Sequence, residues 1–197
     1  MAAPASPKAS AEPPERPAAS ADRCSVVLYG DSILHGGYGG NQRLAEPPAR
    51  TLQRLRPRYR VEDRSANGET ATARAGRFAS EPRTAHFVVI AHGINDVAQG
   101  LPVQPPLRQM VRQAQQEGRQ VVLTGLSRPA LAMPGRSAAD AAIRQVAAET
   151  GAAFAGWGDV TRGPDEMADP LHPAKPYSDR LVARIALTLD AMAPECR

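Results

Sequence analysis

Five short apolar runs, separated by segments of helical period, constrain this sequence more than any other feature. The runs occupy residues 25–29, 59–63, 86–91, 120–124 and 152–155. Their lengths and their β-branched content read as strands. The segments between them repeat differently. Leu107, Met110, Val111 and Ala114 share one helical face, as do Ala139, Ile143, Val146 and Ala147, and then Leu181, Ile185, Leu189 and Met192. Pro47-Pro48 suits a helix entrance and Gly118 a helix exit, and Ser178 is a candidate N-cap for the last helix. Strands alternating with helices imply right-handed crossovers and a parallel sheet covered on both faces. A chain of 197 residues supplies one core, and it holds no internal repeat and no second domain. Aromatics are only 4%, so that core is built from Ala, Val, Leu and Ile.

Residues outside the alternation set the boundaries. Residues 1–23 are rich in Ala, Pro, Ser and charge and contain no apolar run, which predicts a disordered N-terminal segment before a domain at 24–197. The segment resembles neither a signal-peptide core nor a membrane span, and no later stretch approaches a transmembrane segment. A signal sequence removed upstream would leave it as the mature N-terminus. The net charge is +4, and the densest basic stretch, residues 54–64, also holds Glu62 and Asp63. That mixture reads as a solvated helix end and strand edge, and no nucleic-acid-binding signature accompanies it.

Cys24 and Cys196 lack metal-ligand spacing. They are either two free thiols or one disulfide. The geometry of the alternation favours contact. The first strand begins at the sheet edge opposite its carboxyl end. The last helix runs back antiparallel to the strands and brings Cys196 toward Cys24. A bond would place the protein in the periplasm or outside the cell, and free thiols would fit the cytoplasm.

In a parallel sheet the functional loops gather at the carboxyl ends of the strands. Tyr29-Gly30-Asp31-Ser32-Ile33 ends the first run, Ser65-Ala66-Asn67-Gly68-Glu69-Thr70 the second, and Gly93-Ile94-Asn95-Asp96 the third. Asp169-Pro170-Leu171-His172-Pro173 precedes the last helix. All four can meet at one edge. The chemistry assigns roles. A serine hydroxyl needs a base, and His172 is the candidate for Ser32. Asp169 can hold the other imidazole nitrogen, fixing the tautomer. The oxyanion donors are the backbone amides of Ser32 and Gly68 and the side-chain amide of Asn95. Gly68, lacking a side chain, can let its amide approach a substrate closely. Asp31 and Asp96 brace loops, with Gly93 in support. His35 reads as a surface or packing residue and His86 as structural. His92 either supports the sheet edge or lines the site. Trp157, Tyr38 and Leu171 are pocket walls or loop anchors.

These residues resemble the SGNH-hydrolase superfamily, the GDSL-type esterases and lipases, in its compact single-domain bacterial form. Gly30 to Ile33 match its first block, Gly68 its second-block glycine, Gly93 to Asp96 its third block and Asp169 to His172 its last Asp-x-x-His. The resemblance covers residues 24–193. It implies a three-layer α/β/α sandwich with a five-stranded parallel sheet in flavodoxin-like order, and neither metal nor organic cofactor. Ile33 replaces the usual Leu, Asp169-Pro170 replaces the commoner Asp-Gly, and His92 stands where relatives carry a small or apolar residue. The Gly-x-Ser-x-Gly of ordinary α/β-hydrolases is absent.

The reading is a serine ester hydrolase working through an acyl-serine intermediate. Its substrate is a small acyl-ester, as in an esterase, thioesterase or lysophospholipase, or an acetylated sugar. Short loops suggest an open, shallow site. The chain is expected to be a monomer with no nucleic-acid partner. An O-acyltransferase using the same three residues is the alternative, and a catalytically silent accessory module is a second.

Overall fold

Leu28, Val89 and Val122 lie in neighbouring strands with no exposed surface, because both faces of the sheet that carries them are covered. The computed structural model describes residues 22–197. Its sheet strands are β1 (Ser25–Gly30), β4 (Arg60–Asp63), β5 (Phe87–Ala91), β6 (Gln120–Thr124) and β7 (Ala153–Ala155). All pair in parallel, in the order β4-β1-β5-β6-β7. The second strand of the sheet thus flanks the first, and the remaining three follow on the other side. This is the flavodoxin-like order that the resemblance implied. The central strands β1 and β5 are buried along their whole length, whereas the edge strand β4 alternates exposed and half-buried residues.

Helices cover both faces. Helix α2 (Pro48–Leu55) packs on α7 (Lys175–Met192), while α3 (Ala71–Phe78), α5 (Gln104–Gln116) and α6 (Arg136–Thr150) pack side by side. The expected faces are the buried ones: Leu107, Met110, Val111 and Ala114 of α5, and Leu181, Ile185 and Leu189 of α7. Two short helices, α1 (Ser32–His35) and α4 (Ile94–Ala98), follow β1 and β5 directly. A two-stranded hairpin, β2 (Gly37–Tyr38) with β3 (Gln42–Arg43), follows α1.

Ser178 is not the N-cap of the last helix. That helix starts three residues earlier, behind Ala174, and Ser178 lies buried inside it, its amide donating to the Ala174 carbonyl at 3.0 Å. Pro176 explains the difference. A proline in the first turn lacks an N–H that would be unpaired there anyway, and its fixed φ starts the helix without a side-chain cap. Tyr59 precedes its strand and packs edge-on against Phe87, with ring centroids 6.0 Å apart. The disorder expected for residues 1–23 falls outside the described residues as far as residue 21. Asp22 and Arg23 are described. The Asp22 side chain accepts from the Cys24 amide at 3.1 Å and pairs with Arg60 at 3.0 Å. Among the described residues no helix is long and apolar enough to cross a membrane.

Helix α7 returns the chain to the foot of β1. There Cys24 and Cys196 form a disulfide, with Cα atoms 5.4 Å apart across a sequence separation of 172. A crosslink over so long a loop restricts the unfolded chain strongly. Replacing both cysteines, Cys24→Ala with Cys196→Ala, is expected to lower the unfolding free energy by about 2–5 kcal/mol in denaturant titration. An unchanged midpoint at unchanged slope would show that the bond contributes nothing.

Candidate active site

The turn after β1 forms because two groups approach too closely for any side chain at position 30. A Cβ on Gly30 would lie 2.7 Å from the Leu34 side chain and 3.1 Å from the Ala91 carbonyl oxygen. Asp31 then adopts an extended backbone, and its side chain accepts from the Ile33 amide at 3.0 Å, capping α1. Ser32 is therefore the first residue of a helix set against the end of the central strand, and it is 5% exposed.

The segment before α7 brings up the other two groups. Ser32 Oγ lies 2.8 Å from His172 Nε2, and His172 Nδ1 lies 2.8 Å from Asp169 Oδ2. With the Nδ1 proton donated to the carboxylate, Nε2 presents its lone pair to the hydroxyl and can accept its proton. The Asp169 carboxylate also accepts from the amides of Gly39 at 2.9 Å, His172 at 2.8 Å and Leu171 at 2.9 Å. Partial burial opposes its charge. The amide bonds, together with the imidazole, outweigh that and hold the carboxyl well below its ordinary range. The hairpin β2–β3 thus supplies one of the donors that keep Asp169 ionised. Sequence reading missed it, because two-residue strands carry no periodicity.

Three loops are laced together beside Ser32. The Ala66 amide donates to the Gly30 carbonyl at 2.9 Å, the Asp96 carboxylate accepts from the Ala71 amide at 2.8 Å, and Asn95 Nδ2 donates to the Glu69 carbonyl at 3.0 Å. One Asn95 amide hydrogen remains. The backbone amides of Ser32 and Gly68 donate to no other group among the described residues. A Cβ on Gly68 would meet nothing of the protein itself within 4 Å, and its φ of +70° is a left-handed conformation that glycine adopts without strain.

Beneath this rim lies a buried ionic cluster that sequence reading did not assign. The Glu69 carboxylate bonds to Arg74 Nε at 2.7 Å, to His92 Nε2 at 2.9 Å and to Arg77. Burial would raise the Glu69 carboxyl, but the hydrogen bonds from His92 and Arg74 keep it below its usual value. Burial pushes the His92 imidazole down despite Glu69, so a neutral ring donates to a charged carboxylate. The open alternative for His92 is resolved: it sits 1% exposed at the end of β5, under the loop that carries Gly68. Arginines five and eight positions after Glu69 were the available signal, since a buried carboxylate needs cations within reach.

Trp157 is an anchor, 3% exposed, with its indole donating to the Leu181 carbonyl at 2.9 Å. Tyr38 is half-buried in the hairpin, and Leu171 packs on the core. His35 bonds through Nδ1 to the Ser65 hydroxyl at 3.3 Å, and the His86 ring lies edge-on to Phe87 at 4.7 Å. The connections 125–135 and 160–174 are longer than the short loops expected from sequence.

A family model, the GDSL-like lipase/acylhydrolase family, matches residues 28–176. The chain belongs to that family. Among solved structures, this hydrolase is similar to TesA, with 28% identity over 85% of this chain and 99% of that one and a TM-score of 0.71. Esterase EstA from Pseudoalteromonas sp., solved with monoethylphosphonate as inhibitor, shares 22% identity over 87% and 99%, with a TM-score of 0.71. AlinE4, an SGNH-hydrolase family esterase, shares 22% over 86% and 96%, with a TM-score of 0.62. No curated protein matches the chain. The family and the shared fold make the protein an ester hydrolase.

Asp31 is the titrating group of this rim. Burial, reinforced by Asp96 and Glu69 and opposed by the Ile33 amide, pushes its carboxyl up to about 7. The folded state therefore holds a proton that the unfolded chain releases near pH 4. The resulting stability is complete below about pH 4 and is lost as pH rises toward and through 7. Asp31→Asn removes this titration while keeping a capping oxygen. Between pH 4 and 8, denaturation midpoints are expected to shift in favour of the variant, by on the order of 2–4 kcal/mol across the window. A gap between the two proteins that does not change with pH would sink this assignment.

Proposed function

We propose that this hydrolase cleaves carboxylic esters through an acyl-serine intermediate on Ser32. The observation that carries the reading is the unbroken chain of hydrogen bonds from the Ser32 hydroxyl through His172 to Asp169. His172 Nε2 takes the hydroxyl proton as Oγ attacks the acyl carbon. Asp169, ionised and held by three amides, stabilises the imidazolium. The amides of Ser32 and Gly68 and the free hydrogen of Asn95 meet the oxyanion. The imidazolium returns its proton to the departing alcohol oxygen. Water then attacks the acyl carbon with His172 again as base, releasing the acid and restoring the hydroxyl.

Candidate substrates are small acyl esters of lipids, thioesters, or acetyl groups on sugars. The disulfide favours an oxidising compartment, the periplasm or the cell exterior. The likeness to an esterase inhibited by monoethylphosphonate makes a phosphonate the natural probe for Ser32.

Ser32→Ala is expected to abolish turnover of 4-nitrophenyl acetate, and an ethylphosphonate adduct should map to Ser32 alone by peptide mass spectrometry. His172→Ala should cost nearly as much, since the two groups act as a unit. Asp169→Asn should cost less. Asn95→Ala should lower kcat by about 10²–10³-fold, the usual loss of one oxyanion donor. Wild-type turnover by Ser32→Ala would end the reading. A change confined to KM in Asn95→Ala would move Asn95 from the oxyanion to the substrate.

A further inference from the structure

A cavity of about 470 Å³ opens where the connections after β6 and β7 meet. Arg128, Arg136 and Arg162 line it, together with Pro129, Leu131 and Met133, and neither Ser32 nor His172 does. Backbone carbonyls hold all three guanidiniums. Arg128 Nε donates to Gly158 at 2.7 Å, and Arg136 Nε to Ser127 at 2.7 Å with Nη2 on Leu126. Arg162 donates to Arg128, Gly163 and Pro129 at 3.1, 3.4 and 3.4 Å. A guanidinium has five N–H donors, so each keeps some unused.

Among the described residues none of the three pairs with a carboxylate. Two of the nearby acids are paired with other arginines, and a third holds a backbone amide. Asp140 accepts from the Leu126 amide at 2.6 Å, Asp159 pairs with Arg144, and Glu166 pairs with Arg180. Asp165, exposed in the same connection, does not line the cavity. The walls are also fixed in place, because the Arg128 amide donates to the buried Tyr177 hydroxyl at 2.8 Å. Three positioned cations beside apolar Leu131 and Met133 make a concave site for an anion at the end of an apolar chain.

The site lies on the reactive edge. Both connections leave the carboxyl ends of their strands, as Ser32 does. Two strand spacings separate β1 from β6, about 10 Å. The amides of Ala130 and Leu131 donate to the Pro170 carbonyl at 2.8 and 3.1 Å, so the cavity wall is bonded to the loop that carries Asp169 and His172.

We propose that this cavity binds an anionic group, a carboxylate, sulfate or phosphate, carried at the far end of the acyl chain of the ester substrate. Selectivity for anionic, chain-bearing esters follows. The inference rests on Ser32 as the reacting group, and its test separates the two.

The Ser32→Ala protein is titrated by calorimetry with mono-4-nitrophenyl suberate, which carries a carboxylate at the end of its acyl chain, and with the neutral methyl ester of the same compound. The anionic ester is expected to bind at least tenfold tighter at low ionic strength, with the difference shrinking as salt is added. Adding Arg128→Gln, which costs one carbonyl contact, should remove most of the preference, and Arg128→Lys should retain most of it. Arg136→Gln provides a second removal, with thermal unfolding as a check on the fold. Equal affinities in the parent, or a preference untouched by both glutamine variants, overturns the proposal. Inorganic phosphate binding as tightly as the anionic ester also overturns it, because the cavity would then be a site for free anions. Turnover of the neutral diester by protein with Ser32 intact is measured alongside. Its failure would count against the Ser32 reading alone, since the titrations decide the cavity without turnover.

Discussion

The site depends on the burial of β1 between two parallel neighbours. That strand is inaccessible along its length, and three of the loops that matter are positioned at or beside its carboxyl end. Ser32 follows it by two residues. The loop with Gly68 is bonded to its last residue through Ala66. The loop with Asn95 leaves β5, its hydrogen-bonded partner. A buried strand cannot shift its register without unpairing backbone groups on both sides, which is costly in an apolar core. The hydroxyl is thus placed by a buried strand paired on both sides, and the imidazole comes to it on a longer connection clasped by the Gly39 amide.

What was legible in the sequence follows from how many residues carried each signal. Strands β1 and β6 were readable because four or five consecutive apolar or β-branched residues leave little alternative. Three of the four motifs were readable because each follows such a run, and the fourth because Asp169 and His172 stand three residues apart just before the last helix. The β2–β3 hairpin was not, since four paired residues around Gly39 and Gly40 offer neither period nor bulk. Ser178 misled because capping chemistry and a buried polar position look alike in one dimension, and Pro176 was the stronger signal. Gly68 was singled out for its missing side chain, while its left-handed backbone angle is a property that only the fold displays. The Glu69 cluster was only partly legible, through the arginines that follow it at 74 and 77. It joins a loop, a helix and a strand end through side chains, and its partner at 92 becomes a neighbour only in the fold.

The basic character of the chain divides along similar lines. In the densest basic stretch, Arg54, Arg56 and Arg64 answer Glu46, Asp190 and Glu62, so much of its charge is spent locally. The arginines over β6 and β7 are oriented by carbonyls instead, which fixes their direction without cancelling their field. A net charge of +4 therefore says less about partners than the places where positive charge is left unanswered.

The disulfide has a mechanical meaning beyond its effect on the unfolded chain. Strand β1, with 6 residues, is about 20 Å long and carries Ser32 just past its upper end. Helix α7, with 18 residues, is about 27 Å long and begins three residues after His172. The bond between Cys24 and Cys196 joins the lower ends of these two arms. Strand and helix form a pair of tongs riveted at the base, with hydroxyl and imidazole as the tips. With the rivet in place the arms cannot slide past one another, and the gap between the tips varies only as far as the strand, the helix and the short segment after His172 can bend.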